Sequence, residues 1–120
     1  MSESQSLGHK GEAAATGFLE GNGYKIRHRN WRSGKYEVDI VAENKDFIVF
    51  VEVKTRSGDL VDTRDLVSRD KQKSIIYVAD AYLRKYGLDK ESRFDVIVLI
   101  PEDGNFRINH IEDAFYPTLR

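Results

Sequence analysis

Three side chains able to do chemistry together stand mid-chain: Asp39, Glu52 and Lys54, spaced D-x12-E-x-K. They sit in two apolar runs, Glu37-Val-Asp-Ile-Val-Ala42 and Phe47-Ile-Val-Phe-Val-Glu-Val-Lys54, parted by the polar break Glu43-Asn-Lys-Asp46. β-Branched runs joined by a few polar residues read as a β-hairpin, and period two then decides which side chains share a face. Glu37 and Asp39 share one face of the first strand. Glu52 and Lys54 share a face with Ile48 and Phe50, while Phe47, Val49, Val51 and Val53 take the other. A strand apolar on both faces is covered on both sides, and charge buried there persists only when paired, hydrogen-bonded or metal-bound.

Two carboxylates about 4 Å apart repel by roughly 4 kcal/mol at an effective dielectric near 20. One Lys offsets one such repulsion, so a surplus of acids calls for a bound cation or a protonated carboxyl. A divalent cation bound through hard oxygen ligands would meet that demand. The rival reading is an ion-pair network in which Lys54 and Arg56 neutralise the acids.

The elements that must position these groups follow from pattern. Residues from about Gly8 to Glu20 read as a helix, with Gly11, Ala14, Ala15, Phe18 and Leu19 as its buried stripe and Gly21-Asn-Gly23 as its stop. Glu12 lies at the stripe's edge, where an acid also suits the first turn of a helix. Tyr24 to Trp31 alternates, placing Tyr24, Ile26 and His28 on one face and Lys25, Arg27, Arg29 and Trp31 on the other. A basic face with an aromatic at its end can track phosphates and stack on a base; Lys and Arg on an edge strand also block aggregation.

After Lys54 a polar loop runs to about Val67, Ser68 is an N-cap, and Ile75, Val78, Ala79, Tyr82 and Tyr86 form a helical stripe ending at Gly87. Lys71 and Lys73 oppose the dipole of that first turn, so they reach water or meet an anion. Arg93 to Ile100 is a strand ended by Pro101, with Phe94, Val96, Val98 and Ile100 on one face; Phe106 to Ile111 pairs back on it, and a tail follows that packs Phe115 and Tyr116. Helix, three strands, helix, two strands predicts an α/β fold: a mixed five-stranded sheet flanked by two helices.

Composition bounds the rest. The 120 residues show no repeat or compositional break, so one domain spanning 1–120 is expected, with flexible ends at 1–7 and about 117–120. There is no cysteine, which excludes disulfides, zinc-thiolate sites and a thiol nucleophile. No apolar run approaches a membrane span, and the polar Met1-Ser-Glu-Ser-Gln-Ser6 lacks a signal peptide's apolar region, so the cytoplasm is the expected compartment and no membrane the expectation. Net charge is −1, yet Gly21 to Tyr36 holds five basic residues and no acid. Such polarity can hold a polyanion on one side.

The D-x12-E-x-K pattern resembles the signature of the PD-(D/E)xK nuclease superfamily, although Val38 replaces the proline. Over the chain, Gly8-His-Lys-Gly-Glu12, Gly23-Tyr24, Arg29-Asn-Trp31, Glu37-Val-Asp39, Val51-Glu-Val-Lys-Thr-Arg56, Lys71 and Arg93-Phe-Asp95 look like the bacterial YraN-type family. The resemblance covers roughly residues 8 to 115 and implies a restriction-endonuclease-like fold, similar to archaeal Holliday-junction resolvases. It further implies Glu12, Asp39, Glu52 and Lys54 as a nuclease-like site with Glu37 beside it. Asp39 and Glu52, aided by Glu12 or the Val53 carbonyl, are then ligands of Mg²⁺ or Mn²⁺, with waters and a phosphate oxygen completing the octahedron, and Lys54 sits beside the attacking water. Lys25, Arg27, Arg29, Trp31, Arg56 and Lys71 are the candidate nucleic-acid contacts, with His9 and His110 weaker ones and His28 structural. The implied partner is nucleic acid, DNA over RNA and branched DNA among its forms, with a homodimer as in the resolvases. The alternative is a nucleic-acid-binding module that keeps the fold without turnover. Tyr36 stands where that family usually has Gly, which narrows access, and Asp59 to Val67 is more acidic than the usual loop.

Overall fold

The computed structural model describes residues 3–57 and 66–117, with side chains from Gly8 onward. The elements are α1 (Glu3–Gly21), β1 (Lys25–Ser33), β2 (Tyr36–Glu43), β3 (Phe47–Thr55), α2 (Arg69–Tyr86), β4 (Glu91–Glu102) and β5 (Asn105–Phe115). Their order is the expected one. The sheet runs β1-β2-β3-β4-β5, antiparallel throughout except β3 and β4, which are parallel and joined by α2. A parallel pair needs such a crossover. Most of the acidic Asp59–Val67 segment lies outside the described residues; Leu66 and Val67, at its end, are buried.

Both faces of the sheet are covered, as the two-sided apolar pattern of β3 requires. Val38, Val41, Ile48, Phe50, Phe94, Val96 and Val98 pack under Ile75, Val78 and Tyr82 of α2. Ile40, Ala42, Val49, Val51, Ile97 and Leu99 pack under Ala15 and Leu19 of α1. Asn44 turns the β2–β3 hairpin by accepting from the N–H groups of Asp46 and Phe47. Ser68 Oγ accepts from Lys71 N–H at 3.2 Å, and Gly87 closes α2 at φ 60°, a left-handed cap that glycine adopts without steric cost.

Three expectations are corrected. The helix α1 begins at Glu3, not Gly8, because an apolar stripe marks only the turns that pack and is silent about solvated ones. The strand β5 runs to Phe115, which is buried, while Tyr116 is exposed. The faces of β1 are also not those of strict alternation. A bulge between Ile26 and His28 inserts Arg27 as an extra residue, so Arg27 and His28 both turn toward α2 while Tyr24 and Ile26 pack toward α1. One inserted residue resets every later side chain, and Asn30, at φ 52°, breaks the alternation again before Trp31 packs on Tyr82.

The α1 side of the sheet also buries a polar knot. Arg93 Nε and Nη2 donate to both oxygens of Asp95, which is fully buried. His110 Nε2 meets Asp95 Oδ2 at 2.7 Å, and Asp113 N–H donates to Oδ1. Burial alone would raise the Asp95 carboxyl, but His110, Arg93 and the Asp113 amide together hold it below the usual range. His110 is thus engaged as a structural partner of Asp95. No helix among the described residues is long and apolar enough to cross a membrane.

Candidate metal and phosphate site

The β2–β3 ladder ends at the Ile40–Val51 pair, although both strands continue beyond it. Past that pair the strands part, and Asp39 fills the gap: its Oδ2 accepts from Val53 N–H at 2.8 Å. A side-chain oxygen thus takes the place of a main-chain rung. On the other edge of β3 the parallel ladder to β4 persists through Thr55–Leu99, so the end of β3 is held rigid while one flank stays open. Glu52 and Lys54 lie on that end, on the Ile48 and Phe50 face as alternation predicts.

Glu52 is 3% exposed, and its Oε1 is buried with no hydrogen-bond partner among the described residues. Lys54 Nζ stands 3.7 Å from Oε2, an ion pair without hydrogen-bond geometry. Burial, and then the charge of Asp39, push the Glu52 carboxyl up to about 7, against the pull of Lys71 and Lys54. Asp39 is raised too, first by burial and then by Glu12, with the Val53 amide, Lys71 and Lys54 opposing. Asp39, Glu52, Glu12, Lys54 and Lys71 therefore occupy one electrostatic neighbourhood.

Glu12 reaches it because α1 lies close on the sheet. A Cβ on Gly11 would fall 2.8 Å from Leu99 Cδ1 and 3.7 Å from Thr55 Oγ1, so glycine permits the approach and the next residue faces the site. Glu12 Oε1 is likewise buried and unpartnered among the described residues. Glu12 and Glu52, each with a buried unpartnered oxygen and each electrostatically linked to Asp39, are carboxylates that a cation could satisfy. No three Asp, Glu, His or Cys side chains among the described residues are gathered tightly enough to enclose a metal ion. The donors therefore fit an ion that keeps several waters and is held by one or two carboxylates, as Mg²⁺ is, rather than an all-protein cage.

Comparison with known proteins places the chain in a family. Residues 11–99 match the uncharacterised protein family UPF0102. The chain belongs to that family. Similar UPF0102 proteins include one from Bacteroides thetaiotaomicron, 50% identical over 120 residues and 99% of each chain. Another, from Phocaeicola vulgatus, is 46% identical over 99% of each. A third, from Desulforapulum autotrophicum, is 43% identical over 94% of this chain and 95% of its own.

In this UPF0102 chain the remaining candidates divide. Lys71, expected to reach water or meet a phosphate, belongs to the carboxylate neighbourhood through the first turn of α2; its place depends on a crossover helix that local spacing does not reveal. Glu37 is engaged by Arg32, with Arg32 Nε 2.8 Å from Oε2. Lys25 and Arg29 are exposed on β1, and Arg56 is exposed at the end of β3, donating to its neighbour's carbonyl, Thr55 O. Arg27 is not part of a basic face: Nε donates to Tyr82 Oη at 2.8 Å and Nη1 to Glu43 Oε1 at 2.9 Å. Trp31 is half-buried against Tyr82 and Tyr86. His28, read as structural, meets Tyr82 Oη through Nδ1 at 2.7 Å, and His9 is exposed on α1.

Proposed function

We propose that the chain is a metal-dependent nuclease, hydrolysing phosphodiester bonds in DNA, branched DNA included, or in RNA, on a restriction-endonuclease-like fold. The observation that supports this most is Glu52, a carboxylate 3% exposed with an unpartnered oxygen, beside a second buried carboxylate. A chain selected for packing alone would have an apolar residue there. Mg²⁺ or Mn²⁺, when bound, supplies Lewis acidity and a bound water of lowered pKa.

The chain's own groups do the rest. Asp39 and Glu52 offer hard oxygen ligands, and the Val53 amide holds the Asp39 carboxylate in one orientation. Glu12 adds negative charge that a cation relieves. Lys54, with Nζ 3.7 Å from Glu52 Oε2, would orient a water bound beside Glu52 and stabilise charge developing on the phosphate oxygens. Lys71 offers a second cation to the same phosphate. Lys25, Arg29 and Arg56 supply backbone affinity without sequence preference.

The alternative is a non-catalytic nucleic-acid-binding module that keeps the fold, which the exposed Lys25, Arg29 and Arg56 would serve equally well. The two readings separate on a panel of single strands, duplexes, flaps and four-way junctions of DNA and RNA, with Mg²⁺ and with Mn²⁺. The nuclease reading expects metal-dependent cleavage of at least one substrate, abolished by Glu52→Gln. Tight binding with no cleavage of any substrate would establish the module instead. Cleavage undiminished by Glu52→Gln would trace to a contaminant and remove the assignment.

A further inference from the structure

Between the start of β2 and the first half of α2 lies an open cleft of about 470 Å³ lined by Tyr36, Asp70, Lys73, Ser74 and Tyr77. Its volume is in the range of small-ligand pockets. The rings of Tyr36 and Tyr77 meet edge to face, centroids 5.6 Å apart. Tyr77 is 56% exposed, so one ring presents a free surface on a helix whose buried stripe does not need it. Lys35 Nζ stands 5.4 Å from the centroid of the Tyr36 ring, and Lys73 lies on the rim.

We infer that this cleft takes an unstacked nucleobase of a single strand of nucleic acid whose backbone continues toward Asp39 and Glu52. The inference rests on the nuclease reading for its direction but not for its contacts. Four features argue for a base. Aromatic faces are the sequence-tolerant platform for nucleobases, because every base has a π-face. Lys35 and Lys73 match the phosphates on either side of it. Asp70 on the rim repels a phosphate inserted directly, so a polyanion must present a base to the cleft. Tyr36 lies three residues before Asp39, about 10 Å along a strand, a span that a short stretch of extended single strand can bridge.

The consequence is selectivity. Bases inside a duplex have both faces stacked and cannot enter, so the cleft favours single strands and the unpaired nucleotides of flaps or junctions. A second cleft, of about 500 Å³, shares Lys73 and Tyr77 and runs on past Ile76, Leu83 and Phe94 to Pro117, giving the strand a path away from the site.

The test is fluorescence anisotropy of short labelled oligonucleotides with the full chain in EDTA, using single strands of DNA and of RNA and the matching DNA duplex. Tyr77→Ala should weaken single-strand binding by about 5- to 150-fold, the range for one lost base stack, on whichever sugar binds more tightly. Tyr77→Phe, which keeps the ring, should bind as the wild type does, and duplex binding should not move. Tyr36→Ala, with folding checked by circular dichroism, should act in the same direction. Unchanged single-strand binding in both alanine variants would overturn the inference, as would an equal loss on duplex. Wild type that cleaves nothing but binds single strands through Tyr77 would remove the nuclease reading and leave this site standing. Cleavage with binding indifferent to both tyrosines would do the reverse.

Discussion

Replacing Glu52 with Gln should make the protein more stable at pH 8 and change the shape of its pH profile. The folded state holds Glu52 at about 7 against an ordinary value of 4.5. Its folded form therefore binds a proton more tightly than the unfolded chain, and the stability this brings is fully present below about 4.5 and lost as pH rises through about 7. At about 1.4 kcal/mol per tenfold in proton affinity the difference is on the order of 3 kcal/mol. Across the window the folded state carries close to one extra proton, a slope on the order of 1 kcal/mol per pH unit. Asp39, raised as well, contributes with the same sign. Glu43 and Asp95 are lowered; their contribution is present above the ordinary carboxylate range and fades only on acidification below it, so they do not mask the slope.

Urea denaturation from pH 5 to 8 would read this directly. With m about 2 kcal/mol/M, a change on the order of 3 kcal/mol moves the midpoint by about 1.5 M. The wild type should lose stability from pH 5 to 8, and Glu52→Gln should lose much less. Adding Mg²⁺ at a hundred times its dissociation constant should restore about 2.7 kcal/mol to the wild type at pH 8. It should not do so for Glu52→Gln. Parallel profiles for the two proteins would refute the reasoning, since Glu52 would then be neither desolvated nor opposed by Asp39 in solution.

Lys54→Ala should leave substrate affinity nearly intact and cut the cleavage rate about a hundredfold or more, as when one preorganised electrostatic contact is removed; equal cleavage rates would take Lys54 out of the chemistry. Arg27→Ala should cost about 1.5–3 kcal/mol in urea unfolding, because it strips charged hydrogen bonds from Tyr82 and Glu43, while nucleic-acid binding stays the same. Lys25→Ser and Arg29→Ser should do the opposite, each lowering the salt slope of binding by about one with little effect on unfolding. Asp95→Ala should destabilise by about 3–5 kcal/mol, since it leaves Arg93 buried without its carboxylate; a loss under 1 kcal/mol would show that water replaces it readily.

What the chain discloses before folding depends on how local the cause is. The order of elements is legible because Ile75, Val78 and Tyr82 repeat at helical spacing and Phe47 to Val53 is apolar on both faces. The same logic exposes Glu52 and Lys54: charge inside such a run has no packing reason to be there. The bulge at Arg27 is not legible, because one inserted residue alters no composition and only the register with β2 reveals it. Lys71 enters the site across a crossover, and Tyr77 gains meaning only when Tyr36 arrives from another strand. The Arg93-Phe-Asp95 run signals two charges on one strand face, but its partner His110 is fixed by the β4–β5 register, which no spacing within either strand records.

The Asp39–Val53 contact separates two demands that a buried acid usually fuses. The rung needs one acceptor oxygen and is indifferent to charge; the cation needs charge. Asparagine satisfies the first and fails the second, so Asp39→Asn would leave the end of the sheet sewn while silencing the site, whereas alanine would open the seam itself. A tolerance map of this position scored by folding alone would read Asn as neutral and Ala as harmful. The same map scored by cleavage would show no difference between them. If the site is a nuclease site, a single substitution would therefore suffice to lose cleavage while the scaffold stays folded.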